Sequence, residues 1–197
     1  FLWELGRGDV RLQSSHADHP MRILRDFASK QFALPEGFHE AILDAVERWD
    51  RASGAYEHQH SPLDVLETFL ADSITLVENE DLAERHIQLR RRAVEMLSHA
   101  STSKNRRAAV TAVRELGNVL ADASTLSEMR FSDAAWRNEE QLEVLRVLSA
   151  AARAGVDPLV HFAITDVLRS AMHRTANDAV RVNAELVLAQ VPESWER

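Results

Sequence analysis

The stretch Ser103 to Asp122, SKNRRAAVTAVRELGNVLAD, constrains this chain more than any other, because its apolar residues follow the helical period closely. Ala109, Ala112, Val113, Leu116 and Leu120 fall at i, i+3, i+4, i+7 and i+11, one continuous stripe on an α-helix. Alanines within that stripe let a neighbouring helix axis come close, so tight packing is expected on both sides. Ser103 is placed to cap the helix, with Asn105 as the alternative. Arg106 and Arg107 occupy the first turn, where positive charge opposes the helix dipole by roughly a few tenths of a kcal/mol. That cost is small, and it leaves room for a partner anion or a carboxylate from the preceding helix.

The same spacing returns twice. An Arg or His precedes apolar residues at +3, +6 and +7: Arg106 with Ala109, Ala112 and Val113, His161 with Ile164, Val167 and Leu168, and Arg181 with Ala184, Val187 and Leu188. An Asn or Asp lies one to four residues ahead each time. This pattern resembles the second helix of HEAT-type helical-hairpin repeats, with unequal intervals of 55 and 20 residues that make the repeat degenerate. Six glycines and five prolines, beside abundant Leu, Ala, Arg and Glu, favour helix over sheet throughout. The expected fold class is therefore all-α, a HEAT-like α-solenoid or an irregular antiparallel array of helical hairpins.

In chain order, residues 1–12 read as the tail of a helix broken at Gly6 and Gly8, and 13–20 as a loop. Met21 to Phe32 places Leu24, Phe27, Ala28 and Phe32 on one face. Phe38 to Asp50 is the clearest amphipathic helix, with Phe38, Ile42, Ala45, Val46 and Trp49 along one side. Ser61-Pro62-Leu63-Asp64 starts a short helix that finishes near Ala71. Ser73 to Val77, SITLV, is the only stretch with β character. It sets the expected organisation: an N-terminal helical part over 1–72, a linker or short strand over 73–79, and HEAT-like repeats over 80–197. Within the last part, Glu80 to Ala100 is one helix and 123–137 a polar connection. Glu139 to Ala154 is apolar over most of its circumference, hence central. Asp157-Pro158 starts the next helix, and Asn177 caps the last.

Composition narrows the chemistry. Cysteine is absent, which removes disulfides, thiol nucleophiles and cysteine-ligated metals and fits a cytoplasmic location. No run reaches the length of a membrane span and no signal peptide opens the chain. A start at Phe1-Leu2-Trp3 predicts a piece of a longer polypeptide. Net charge is −8, which argues against general nucleic-acid affinity. Between Arg85 and Arg107, however, seven Lys or Arg face one acid, Glu95. A helical hairpin there could gather Arg85, Arg91 and Lys104 as phosphate contacts. Arg90, Arg91 and Arg92 point about 100° apart on a helix, so they cannot share one patch. Aromatics for base stacking are also missing from the stretch, so intramolecular salt bridges rank ahead.

Other constellations read as structural. His16, Asp18 and His19, and His58 with His60, fall in expected loops, and a metal site would need three or four converging ligands. No metal or cofactor is assigned. GxxxxGK(S/T), GxSxG and GxGxxG motifs are absent, and His39-Glu40 lacks the second His of a zincin. Arg7-Gly8-Asp9 is a three-residue coincidence. His161 holds the position that arginine takes in the sister helices, which suits a structural hydrogen bond.

The segments WELGRGD, DHPMRILRDFASKQF, the Trp49 helix, SPLDVLETFLA, RRAVEML, RRAAVTAVRELGNVLAD, AWRNEEQLEVLRVL and DPLVHFAITDVLR, in that order, resemble the C-terminal helical region of large bacterial STAND-type NTPases and related defence proteins. The resemblance spans most of the chain and implies a helical-repeat region that senses a ligand or scaffolds oligomerisation. No residue here matches the nucleotide-binding motifs of those proteins. The leading expectation is a non-catalytic interaction module that binds a protein partner or a neighbouring domain, with Arg106, Arg107 and Arg181 at the binding face. Nucleic-acid binding through 85–107 comes second. A HEAT-like DNA-repair or metal-dependent enzyme, with a cleft around Trp136, comes third.

Overall fold

The computed structural model describes residues 37–53, 63–70, 80–121, 131–154, 157–175 and 177–191, and all regular structure among them is α-helical. The elements are α1 (Phe38–Ser53), α2 (Leu63–Leu70), α3 (Glu80–Ser101), α4 (Arg106–Ala121), α5 (Phe131–Arg153), α6 (Pro158–Arg174) and α7 (Asp178–Gln190). The helix expected over 21–32, the histidine loops, the SITLV stretch and the 73–79 linker lie outside the described residues. Chain contacts divide the protein into two compact units, 1–96 and 97–197, with the division inside α3.

In the first unit, Gly37 adopts a left-handed φ of 79° and its carbonyl accepts the Ala41 N–H, which starts α1. Ile42, Leu43, Ala45 and Val46 of α1 are buried. They form the unit's core together with Leu63, Val65, Leu66 and Phe69 of α2 and Leu89, Ala93 and Val94 of α3.

In the second unit, all five stripe residues of α4 are buried, and so are Ala108, Gly117 and Val119. Asn105, rather than Ser103, caps α4: its Oδ1 accepts the Ala108 N–H at 3.2 Å, while Ser103 Oγ accepts the Asn105 N–H at 3.1 Å. α4 and α6 run parallel and side by side. Arg106 at the start of α4 meets Asp157 at the start of α6, and Gly117 further along meets Val167. A Cβ on Gly117 would lie 2.6 Å from a Val167 methyl, so here the absent side chain lets the two axes approach. α5 runs back along α4, with Gln141 Nε2 donating to the carbonyls of Val119 and Leu120 at α4's end. α7 lies parallel to α5, its N-cap Asn177 reaching Asn138 and Gln141. The unit is thus two helical hairpins, α4–α5 and α6–α7, with like helices alongside. This explains the unequal intervals: 55 residues separate the equivalent helices α4 and α6, whereas 20 separate the hairpin partners α6 and α7. α5 begins at Phe131, inside the expected polar connection, because the buried face around Trp136 and Val144 extends it backwards.

Candidate functional site

The basic run on α3 is built into the first unit. α1 presents Glu40, Asp44 and Glu47 at i, i+4 and i+7, one edge of a helix. Arg85 Nε and Nη2 donate to both oxygens of Glu40, at 2.8 and 2.9 Å. Seven residues on, Arg92 Nη2 donates to Asp44 at 2.5 Å and Glu47 at 3.0 Å. The fork-to-carboxylate geometry suits charge-assisted bonding. The Arg85 bond holds the Glu40 carboxyl below its ordinary range, against the opposing effect of burial. Arg92 feels burial most, yet its bonds to Asp44 and Glu47 prevail and raise its pKa.

Between these two, Arg90 turns inward. It is buried, and its Nη1 donates to the Leu70 carbonyl at the C-terminal end of α2, where unpaired carbonyls and the helix dipole favour a cation. Arg91 is exposed. The three consecutive arginines therefore take three fates: buried, exposed and ion-paired. Two buried histidines accompany Arg90. His39 stands edge-on to Phe69 with ring centres 6.2 Å apart, and burial lowers its pKa. His86 is pushed down to about 4 by burial first, then by Arg90 and His39.

At the start of α4, Arg106 Nε donates to Asp157 Oδ2 at 2.8 Å, so the carboxylate that meets it comes from the α6 N-cap. Arg107 and Lys104 are exposed. Arg181 pairs with Asp178 at 2.6 Å on the exposed face of α7. Such surface pairs contribute at most about 1 kcal/mol each. Trp136 is buried, with the Arg137 guanidinium 5.3 Å from its ring centre and burial lowering the arginine's pKa against a nearby Glu140. This is a packed cation–π contact within the second unit.

Asn177 joins α5 and α7 through one side chain. Its Oδ1 accepts the Ala179 and Val180 N–H groups, and its Nδ2 donates to Asn138 Oδ1 at 2.5 Å and Gln141 Oε1 at 3.0 Å. Gln141 carries the chain on to the carbonyl end of α4. Caps and cross-helix bonds here form one polar network.

That network fixes one end of an open groove between α5 and α7, enclosing about 560 Å3. Leu142, Leu145, Leu186 and Val187 supply its apolar lining. Arg146 and Arg153 stand seven residues apart on the α5 bank, and Asn183 and Gln190 stand seven apart on the α7 bank. Arg146 makes an exposed i, i+3 pair with Glu143 at 2.9 Å, and Arg153 donates to the Ser149 hydroxyl at 2.5 Å. None of Arg85, Arg91, Lys104, Arg106, Arg107 and Arg181 lines this groove. Of these residues Val187 belongs to an expected apolar stripe; for the others, the seven-residue recurrence of Arg146/Arg153 and Asn183/Gln190 is the signal the sequence carries.

Among the described residues, no three His, Cys, Asp or Glu side chains gather as a metal site, and no helix is long and apolar enough to cross a membrane. No family model matches this chain, and no curated protein aligns with it.

Proposed function

We propose that the chain is a non-catalytic, HEAT-like helical-hairpin module that scaffolds or binds a protein partner, or a neighbouring domain of a larger cytoplasmic polypeptide. The setting we favour is the one its helix order resembles, the helical region of a STAND-type NTPase. The observation that carries the reading is the surface of the α6–α7 hairpin. All four exposed large hydrophobics among the described residues, Leu159, Phe162, Val182 and Leu186, belong to it. Single exposed apolar side chains are ordinary, but on α7 exposed Ala179, Val182, Leu186 and Ala189 repeat at i, i+3, i+7 and i+10, a full helical stripe open to solvent. α7 buries only Val180 and Ala184, so most of its circumference is available to something else.

Polar chemistry supports the same reading. The Gln141–Asn177 network and the Arg85 and Arg92 pairs hold helices in place, and catalysis has no evident call on them. Nucleic-acid binding through 85–107 has less support, since Arg85 is committed to Glu40; it keeps exposed Arg91 and Lys104. Arg106, Arg107 and Arg181 remain a candidate binding set, with Arg107 the most available of the three.

Site-specific photo-cross-linking in the organism of origin tests the module reading. A benzophenone side chain at Leu186 should give a discrete cross-linked protein product, and one at Arg114, on the exposed face of α4, should not. Equal products from both positions, or none from Leu186, would refute the assignment.

A further inference from the structure

We infer that the α5–α7 groove seats one helix of a partner protein, an amphipathic helix with an apolar stripe flanked by carboxylates. This rests on the module reading and names the partner's chemistry. Two parallel helices with apolar side chains between them offer the ridges and holes that a third helix fills by knobs-into-holes packing. The groove's own positions already recur by sevens: Leu142 and Ser149, Arg146 and Arg153, Asn183 and Gln190. Leu145 forms a buried floor, while Leu186 is 55% exposed at the opening. That is the profile of an anchor left wet until something covers it.

Charge decides which helix fits. Among the described residues the lining contains two arginines and no carboxylate, in a chain whose net charge is −8. Elsewhere this protein answers its buried-edge arginines with acids from a packed helix, as Glu40, Asp44 and Glu47 answer Arg85 and Arg92. Among the described residues, no packed helix supplies acids to the groove. Among those residues, Arg146 pairs with its exposed neighbour Glu143, and Arg153 bonds a neutral serine hydroxyl. Seven residues of helix place the two guanidiniums about 10 Å apart along the bank. A helix laid in the groove with acids at the same interval meets both, and the carboxamides of Asn183 and Gln190 face its other edge. A basic helix of the same apolar pattern would instead bring like charges together, which disfavours it.

The test uses the full chain and two fluorescein-labelled model peptides of three heptads each. Both carry Leu at the a and d positions; one has Glu at e and g, the other Lys. By fluorescence anisotropy at low salt, the Glu peptide should bind saturably and about tenfold or more tighter than the Lys peptide, as steering by two cations requires. Raising salt to about 0.5 M should weaken it, because exposed charges are then screened. Arg146→Glu with Arg153→Glu should invert the preference. Both positions are exposed on the groove bank or its rim, so the variant keeps its fold, checked by circular dichroism. Leu186→Asp should abolish binding of either peptide.

Equal binding of the two peptides, no saturable binding of the Glu peptide, or an unchanged preference in the double variant would overturn the inference. Failure of the peptide with a persisting Leu186 cross-link discards the acidic-helix chemistry and keeps the α6–α7 face as a contact surface. A Leu186 cross-link made only to a second copy of this chain also overturns it.

Discussion

Replacing Gly117 by alanine isolates the contact that sets the distance between α4 and α6. On the present backbone the new Cβ would lie 2.6 and 2.8 Å from the two γ-carbons of Val167 and 3.3 Å from its Cβ. Carbon atoms in ordinary contact sit about 3.5–4.0 Å apart. Rotating Val167 cannot clear the close Cβ contact, and a β-branched side chain in a helix has one strongly preferred rotamer. The helices must therefore move apart, and overpacking of this kind costs roughly 1–3 kcal/mol. Against it stands the gain from replacing a mid-helix glycine by alanine, about 1 kcal/mol. The balance is a loss of up to about 2 kcal/mol, where the same change on an open helix face would be a gain. Urea unfolding followed by circular dichroism measures it, with amide exchange of α4 and α6 locating the effect in the second unit. A double-mutant cycle sharpens the sign. Val167→Ala alone loses roughly 2 kcal/mol for two buried methyl groups. Combined with Gly117→Ala it should cost less than the sum of the two, by about 1 kcal/mol or more. Stabilisation by the single change, or strict additivity in the pair, would refute the close approach of α4 and α6.

Two further predictions concern the polar groups. His86 has its folded-state pKa pushed down to about 4, from 6.5 when free. Above pH 6.5 it is neutral in both states; as pH falls through 6.5 the unfolded chain takes up a proton that the folded chain refuses, so stability drops until about pH 4. The slope is about 1.4 kcal/mol per pH unit in that window, and unfolding curves at pH 7 and pH 5 should differ by about 2 kcal/mol more in the natural chain than in His86→Phe. Equal pH dependence in the two would show that His86 is not buried as described. Asn177→Ala should destabilise the second unit by roughly 2–3 kcal/mol, since it removes a cap and leaves buried Gln141 short of a partner. Asn105→Ala, which removes a cap alone, should cost about 1 kcal/mol, and equal losses would dismiss the network.

Legibility followed the distance over which each feature is decided. Caps and starts depend on neighbours within one turn, and the chain announces them: Asp157 with Pro158 opens α6, Asn177 opens α7, and both side chains accept the N–H groups expected of them. The apolar stripe of α4 was equally plain, because periodicity alone decides a buried face. Gly117 was not, since its value lies in Val167, fifty residues away. The burial of His39 and His86 is equally hidden in the sequence: a histidine among carboxylates and arginines reads as surface until the helix that covers it is known. The choice between Ser103 and Asn105 turned on backbone geometry too fine for residue type to settle.

The arginines show the same limit. Arg85, Arg90 and Arg92 formed a suggestive basic run because their answering groups lie far off in sequence, at Glu40, Asp44, Glu47 and the Leu70 carbonyl. Once those partners are in place the run is a set of fasteners, and its charge is spent inside the first unit. Arg146 and Arg153 attracted no notice, being diluted among acids on a long helix. Folding reverses the ranking, because among the described residues it brings neutral Asn183 and Gln190, and no acid, to the opposite bank. Among the described residues, Arg146 is matched only by its exposed neighbour Glu143 and Arg153 only by a serine hydroxyl, which leaves the apolar-floored groove with a positive bank. The acidic partner helix proposed above would supply carboxylates to both arginines.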